Sequence, residues 1–214
     1  MIRKTLATIL GISLVFIYPI SSHSKSQYSS MTILINGFGS TVPFIGFGFR
    51  NLQKKISGAE LYSYVGPMEG WTIIAPKVLR DVRAAYRKNP YTAINLIGVS
   101  FGANLLTRIV AKLHKENIPV SYLGILDGYP LTPVTPNVRR VDNFTCTAIG
   151  CLKDKVKLTD GNNITIHYAF KYNTTHIKLP DKFEVQRRIL RQIGAYHLEL
   201  GGACSGAVGS RPNC

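Results

Sequence analysis

The residues best placed to do covalent chemistry in this chain lie in the run Gly-Val-Ser-Phe-Gly at 98–102. An apolar stretch over 92–97 predicts a buried strand before it, and apolar residues at helical spacing over 103–113 predict a helix after it. Between a strand and a helix, a G-x-S-x-G turn lifts the serine hydroxyl out of the sheet. The helix dipole then favours a developing oxyanion beside the Phe101 N–H. We predict that Ser100 is a nucleophile; the alternative is a turn that only joins a strand to a helix.

A serine nucleophile needs a base, because a free hydroxyl is protonated and weakly nucleophilic at neutral pH. Of the five histidines, His176 follows the last predicted strand as part of a loop, and we predict that it is the base. His197 is the alternative. His23 lies in the N-terminal region, His114 at the exposed end of a helix, and His167 inside a strand, where structural roles are expected.

A carboxylate that orients the histidine is the third group such chemistry requires. Asp127 directly follows a predicted strand over 120–126, and its short side chain suits that role. Asp-Gly pairs also favour tight turns whatever the function, which is the competing interpretation of this aspartate. Further alternatives for the acid lie between the last two predicted strands: Asp142, Asp154 and Asp160.

Strands and helices alternate along the rest of the chain. Strands are predicted at 31–36, 59–65, 120–126 and 163–170, and helices at 44–56, 76–88 and 181–193. This alternation predicts an α/β fold with a parallel sheet covered on both faces. Ligands bind such sheets beyond the carboxyl ends of the strands. Chemically suitable residues follow four different strands at that edge: Gly37, Ser100, Asp127 and His176.

The loop after the first strand, Gly37-Phe38-Gly39-Ser40, is predicted to supply a second oxyanion donor. We assign this role to the Phe38 N–H, with Gly37 as the alternative, because flanking glycines let the backbone approach a ligand closely. Gly37 and Tyr129 are expected to contact substrate. The rings of Phe38, Phe101 and Tyr129 form either an apolar wall for an acyl group or part of the core.

These motifs together resemble a small α/β-hydrolase of the lipase, esterase and thioesterase type, over roughly residues 31–195. The resemblance implies a three-layer sandwich with a mostly parallel central sheet, a reduced α/β-hydrolase fold. It also implies a Ser100–His176–Asp127 triad that cleaves a carboxylic ester or thioester through an acyl-enzyme, without a cofactor or metal. Many relatives have His-Gly where this chain has Asn36-Gly37. Compared with that family, this sequence has fewer predicted strands after Ser100. Its predicted acid, Asp127, follows the strand directly after the Ser100 unit, whereas the acid more often follows a later strand.

The N-terminus has the layout of a secretory signal peptide. Arg3 and Lys4 precede an apolar run over 6–20, and a serine-rich stretch follows with small residues suited to cleavage before Lys25. We predict a signal peptide over 1–24 and one hydrolase domain over 25–214, in a protein that is exported to the periplasm or secreted. The alternative is an uncleaved N-terminal anchor.

The four cysteines agree with an oxidising compartment, where an even number indicates two disulfides. Three pairings of Cys146, Cys151, Cys204 and Cys214 are possible. Cys146–Cys151 with Cys204–Cys214 is the simplest, since each pair closes a short loop. The spacing is not C-x-x-C and no histidine cluster accompanies it, so a zinc site is not expected. The first pair lies in a predicted irregular insertion over 131–162, the second in a tail over 201–214.

The chain is strongly basic, with a formal net charge of +15. Loss of Arg3 and Lys4 with the signal peptide leaves +13. Such a charge favours an anionic envelope surface as partner, although a merely solvated basic surface is the simpler interpretation. No motif indicates specific nucleic-acid binding. We expect a monomer that acts on a small-molecule or lipid ester, or transfers its acyl group to another acceptor. A non-catalytic envelope protein that binds anionic lipid or polysaccharide is the alternative.

Overall fold

The structure, a computed structural model, describes residues 29–41 and 48–194. Six strands form one sheet: β1 (Ser30–Ile35), β2 (Glu60–Tyr62), β3 (Ala93–Val99), β4 (Tyr122–Leu126), β5 (Arg140–Cys146) and β6 (Ile166–Tyr172). Their order is β2-β1-β3-β4-β5-β6, and every neighbouring pair is parallel. The turns that follow the strands therefore all emerge at one edge of the sheet.

Helices cover both faces of this sheet. They are α1 (Arg50–Gln53), α2 (Pro67–Glu69), a π-helix (Gly70–Ile74), α3 (Ala75–Lys88), α4 (Phe101–Lys115), a 3₁₀ turn (Leu179–Asp181) and α5 (Phe183–Gln192). Pro76 lies in the first turn of α3, directly after the π-helix. None of the helices in the described ranges has both the length and the hydropathy needed to span a bilayer.

Alternating apolar residues on the strands build two cores. Ile33 and Leu96 face the layer that holds α3 and α4, whereas Leu34, Ile97 and Phe144 face the layer with α1 and α5. The central strands are thus apolar on both sides, as expected for a parallel sheet buried between helices. The predicted three-layer α/β architecture is confirmed, and its sheet is wholly parallel within the described residues.

The strand order reverses next to β1. The chain moves outward from β1 to β2, then crosses back to place β3 on the other side of β1. Ligands bind parallel sheets at such a switch point, beyond the carboxyl ends of the two strands concerned. Here the loop that begins at Gly37 and the turn that holds Ser100 face each other across that crevice.

Two glycines allow the tight turn between β3 and α4. A Cβ on Gly98 would lie 2.7 Å from the backbone of Gly102 and Ala103. A Cβ on Gly102 would lie 2.5 Å from the Asn36 carbonyl oxygen and still closer to that of Ile35. No side chain fits at either position without a shift of the backbone, so the glycines let α4 start directly against β1.

Substitution of Gly102 by alanine is expected to destabilise the fold. The added methyl group would push α4 away from the β1 carbonyls, at a cost of about 3 kcal/mol in free energy of unfolding. Urea unfolding followed by tryptophan fluorescence measures this change. Gly66→Ala is the matched control, because its Cβ would meet no atom within 4 Å; a similar loss in both variants would contradict the explanation.

One part of the sequence prediction is wrong. The expected irregular insertion over 131–162 contains strand β5, which pairs with β4 and β6. The strand was hidden because Asp142 and Asn143 interrupt its apolar pattern, yet both side chains are buried. The buried negative charge of Asp142 is compensated by ion pairs with Arg140 and Arg188.

Several other predictions fall partly or wholly outside the described residues. The helix predicted over 44–56 is too long within the described residues, since α1 covers only Arg50–Gln53 and residues 48–49 and 54–56 form bends and turns; residues 42–47 are not described. The signal peptide predicted over 1–24 and the cysteine-bearing tail over 201–214 also lie outside the described ranges.

Candidate active site

Ser100 lies in a strained conformation at the turn between β3 and α4. Its φ of 56° and ψ of −125° belong to a region that residues with a Cβ rarely adopt. The turn is held in place because the Ser100 N–H donates to the Leu126 carbonyl at 2.9 Å, which ties the turn to the end of β4. The side chain is half-buried. Backbone strain of this kind is typical of a functional site.

Asp127 follows β4 with its carboxylate completely buried. Oδ2 lies 2.7 Å from His176 Nδ1 and accepts the Leu152 N–H at 2.9 Å, while Oδ1 accepts the Lys153 N–H at 3.0 Å. Burial raises the pKa of this carboxyl, but the His176 hydrogen bond and the two backbone N–H groups outweigh burial. The pKa of Asp127 therefore lies below its ordinary value, and the group is an anion at neutral pH.

His176 lies in the loop after β6, with its side chain 16% exposed. The Ala148 N–H donates to the Thr174 carbonyl at 3.3 Å, which ties this loop to the segment after β5. The Asp127 contact selects the tautomer with hydrogen on Nδ1 and leaves Nε2 to accept a proton. The structure thus pairs the predicted base with the predicted acid, on the sheet edge where Ser100 emerges.

Two backbone N–H groups are suited to stabilise an oxyanion in the crevice. Phe101 begins α4, which follows β3. Phe38 lies in the turn after β1, the strand next to β3 in the sheet. Neither N–H donates a hydrogen bond to another described residue. The turn itself is supported because the Gly39 N–H donates to the Val65 carbonyl at 3.3 Å. Gly37 is buried beneath it.

The three predicted aromatic residues have different surroundings. The Phe101 ring packs edge-on against Tyr64 and Trp71, with centroid distances of 6.1 and 5.7 Å. Phe38 and Tyr129 are exposed at the edge of the sheet. Phe101 therefore belongs partly to the core. Trp71, from the π-helix, packs against it and was not singled out from the sequence.

The alternative acids have other partners. Asp142 pairs with Arg140 and Arg188 within the sheet, and Asp154 accepts the N–H groups of Leu131 and Lys155. Asp160 is exposed in a turn.

The structure describes His167 but not His197, the alternative base. His167 lies on β6, where burial lowers its pKa against the opposing charge of Asp142. His197 is outside the described ranges.

A disulfide joins Cys146 to Cys151, as the simplest pairing predicted. Asp127 and these cysteines are grouped closely enough to suggest metal ligands, but the two sulfurs are bonded to each other and offer no thiolate. The disulfide closes a short loop just before Leu152 and Lys153, which hold the Asp127 carboxylate. Cys204 and Cys214 lie outside the described residues.

Neither a protein-family model nor a curated protein matches this sequence. Solved structures do match in shape. The type II thioesterase BorB from the borrelidin biosynthetic cluster superposes with a TM-score of 0.55, covering 78% of this chain and 94% of that chain at 10% identity. The chain has an α/β-hydrolase fold.

Two further α/β-hydrolase-like structures are similar at lower TM-scores. A cutinase-like protein from Cryptococcus sp. covers 84% of this chain and 97% of its own, at 16% identity and a TM-score of 0.45. The RedJ thioesterase from the prodiginine pathway of Streptomyces coelicolor covers 78% of this chain and 86% of its own, at 11% identity and a TM-score of 0.49.

Proposed function

We propose that this protein is an exported serine hydrolase that cleaves a carboxylic ester or thioester through an acyl-enzyme. The observation that carries this proposal is the 2.7 Å contact between His176 Nδ1 and the buried Asp127 carboxylate, at the sheet edge where the strained Ser100 turn emerges. Paired in this way, the imidazole is oriented to take a proton through Nε2.

The first half of the reaction forms the acyl-enzyme. Ser100 Oγ attacks the carbonyl carbon of the substrate while its proton passes to His176 Nε2. The carbonyl oxygen becomes an oxyanion, stabilised by the N–H groups of Phe38 and Phe101. When the tetrahedral intermediate collapses, the bond to the leaving group breaks, and the alcohol or thiol leaves with the proton from His176.

The second half regenerates the enzyme. Water attacks the acyl carbon and gives a proton to His176, the bond to Ser100 Oγ breaks, and the serine recovers that proton. Asp127 stays ionised throughout and stabilises the imidazolium formed in each half. Its lowered pKa suits this role, because a carboxyl that remains charged holds its partner in one tautomer.

The fold and the disulfide support the proposal. The BorB structure belongs to a thioesterase with the same architecture, which supports acyl chemistry at this sheet edge. The Cys146–Cys151 disulfide fits an oxidising compartment and so supports export. The signal peptide over 1–24 remains a prediction of the sequence.

A fluorophosphonate probe tests the nucleophile directly. We expect the intact mass of the full chain to rise by one probe adduct, mapped by peptide sequencing to Ser100. A label on another serine would remove Ser100 from its role. A folded protein with no label and no ester turnover would favour the non-catalytic envelope protein instead.

Loss of the Cys146–Cys151 disulfide is expected to lower activity beyond any effect on folding. In Cys146→Ala/Cys151→Ala, the loop that presents the Leu152 and Lys153 N–H groups to Asp127 is freed. Weaker hydrogen bonds to this charged group predict a fall in kcat/KM of about 10- to 100-fold. We expect Ser100 labelling to slow in parallel while tryptophan fluorescence still reports a folded chain.

Cys204→Ala/Cys214→Ala is the control for this experiment. It removes the same number of sulfurs, and its turnover should remain near that of the unmodified chain. Full activity after loss of the Cys146–Cys151 bond would show that the loop holds Asp127 without the cross-link.

A further inference from the structure

Exposed apolar side chains surround the candidate site. Every turn or loop that follows a strand at this edge carries at least one, apart from the Ser100 turn itself: Phe38, Val65, Met68, Tyr129, Ile149 and Ile177. We call these six side chains the rim. Met68 is 75% exposed, and Ile149, at the tip of the disulfide loop, is 100% exposed. Single exposed apolar residues are ordinary, but a group on one edge marks an interaction surface.

Hydrogen bonds join neighbouring loops of the rim on each side of the Ser100 turn. Gly39 donates to Val65, which joins the loops after β1 and β2. Asp127 accepts the Leu152 N–H, which joins the loops after β4 and β5, and Ala148 donates to Thr174 in the loop after β6. The apolar groups therefore stand on two sets of mutually bonded loops, one on each side of the Ser100 turn.

Unpaired positive charge accompanies these apolar groups. Lys153 and Lys178 extend from the loops after β5 and β6 and are exposed. Neither side chain forms an ion pair with another residue that the structure describes. Acidic groups nearby are bonded within the protein instead: Glu69 accepts the Val65 N–H and Asp181 accepts from Asn51. Glu69 and Asp181 keep their negative charge in these contacts, so an anionic partner is indicated by Lys153 and Lys178 together with the net charge of +15 of the whole chain.

We propose that the rim docks the protein on an anionic lipid bilayer, with Ser100 facing the membrane surface. Apolar side chains on loop tips enter the boundary between headgroups and acyl chains, and flanking lysines attract anionic headgroups. The substrate is then an ester of a membrane lipid or of an amphiphile held in the bilayer. This last step rests on the proposed function, whereas the docking does not.

Vesicle flotation of the full chain tests the docking. We expect binding to vesicles of phosphatidylcholine mixed with phosphatidylglycerol, and weaker binding to phosphatidylcholine alone. Met68→Gln/Ile149→Gln removes two apolar groups on opposite sides of the rim, and we expect it to weaken vesicle binding about tenfold or more. Both side chains are too exposed to support the fold.

Tyr91→Gln/Ile164→Gln is the matched control. These side chains are 87% and 66% exposed but lie beside the amino ends of β3 and β6, away from the rim. Vesicle binding by this variant should equal that of the unmodified chain. Equal losses in both variants, or no loss in the rim variant, would overturn the proposal.

A second pair of variants tests the charge. Lys153→Gln/Lys178→Gln should reduce the preference for anionic vesicles by about tenfold. Lys112→Gln/Lys115→Gln, on α4, should leave it nearly unchanged. If light scattering instead reveals a dimer that the rim variant abolishes, the occupant of the rim is a second copy and the bilayer proposal is wrong.

Turnover of two substrates separates the docking from the hydrolase proposal. Met68→Gln/Ile149→Gln should hydrolyse a short soluble ester as fast as the unmodified chain, but an ester held in vesicles more slowly. Rim-dependent flotation without any turnover or Ser100 labelling would leave the docking and reject the hydrolase. Ester turnover without rim-dependent flotation would support the hydrolase and reject the docking.

Discussion

Ser100→Ala should lower ester turnover to background, a fall in kcat of about 10⁶-fold. The variant keeps the turn but removes the hydroxyl oxygen that we propose forms the acyl-enzyme. Its folded structure should persist, because alanine occupies less space and the backbone bond from residue 100 to the Leu126 carbonyl is retained. Initial-rate measurements with a soluble ester, made beside a thermal unfolding curve, check both expectations.

Ser40→Ala is a suitable control for this loss. Ser40 lies in the turn after β1, close in sequence to the candidate oxyanion donor, and its buried hydroxyl has no partner among the described residues. Its loss should leave turnover close to that of the unmodified chain. Retained turnover in Ser100→Ala would mean that another group is the nucleophile.

Asp127→Asn should lower kcat/KM by about 10⁴-fold at neutral pH. An amide at this position donates a hydrogen bond to His176 Nδ1 and moves the proton to Nε2, where it blocks acceptance of the Ser100 proton. The amide also meets the Leu152 and Lys153 N–H groups, so one donor faces another. The same variant should therefore lose about 1–3 kcal/mol in free energy of unfolding.

Asp154→Asn controls for the general effect of removing a carboxylate nearby. Asp154, in the segment after the disulfide, accepts the backbone N–H groups of Leu131 and Lys155, whereas the carboxylate paired with His176 Nδ1 is that of Asp127. Turnover by this variant should remain within a few-fold of the unmodified chain. Equal losses in the Asp127 and Asp154 variants would leave the acid unassigned.

The turn that holds Ser100 could be predicted from sequence because the features that define it lie close together in the chain. Only glycine fits at 98 and 102, the strand before them is apolar, and the helix after them has a regular period. The position of Asp127 followed from the alternation of strands and helices, which brings the carboxyl ends of parallel strands to one edge.

Strand β5 and the support of Asp127 were not predictable in the same way. In β5, Asp142 is buried because arginines from β5 and α5 neutralise it, and that pairing joins distant parts of the chain. The N–H groups of Leu152 and Lys153 belong to the backbone, so their side chains give no sign of the contact with Asp127. Positive φ at Lys153 is likewise invisible in the sequence.

Backbone strain is concentrated where the proposed chemistry occurs. Of the four non-glycine residues with positive φ in the described chain, three lie at the site: Ser100, Asp127 and Lys153. Each such residue costs folding free energy, of the order of 1–3 kcal/mol, that the surrounding structure must offset. Rigid supports around a strained turn keep reacting groups in place without further reorganisation.

Proton transfer from Ser100 to His176 is tested most directly by the rate of fluorophosphonate labelling of Ser100 in His176→Ala. Without the imidazole the hydroxyl has no base, so the second-order labelling rate constant should fall by about 10³-fold or more. His167→Ala, on β6, should label as fast as the unmodified chain. Labelling of a folded His176→Ala at the unmodified rate would contradict the account.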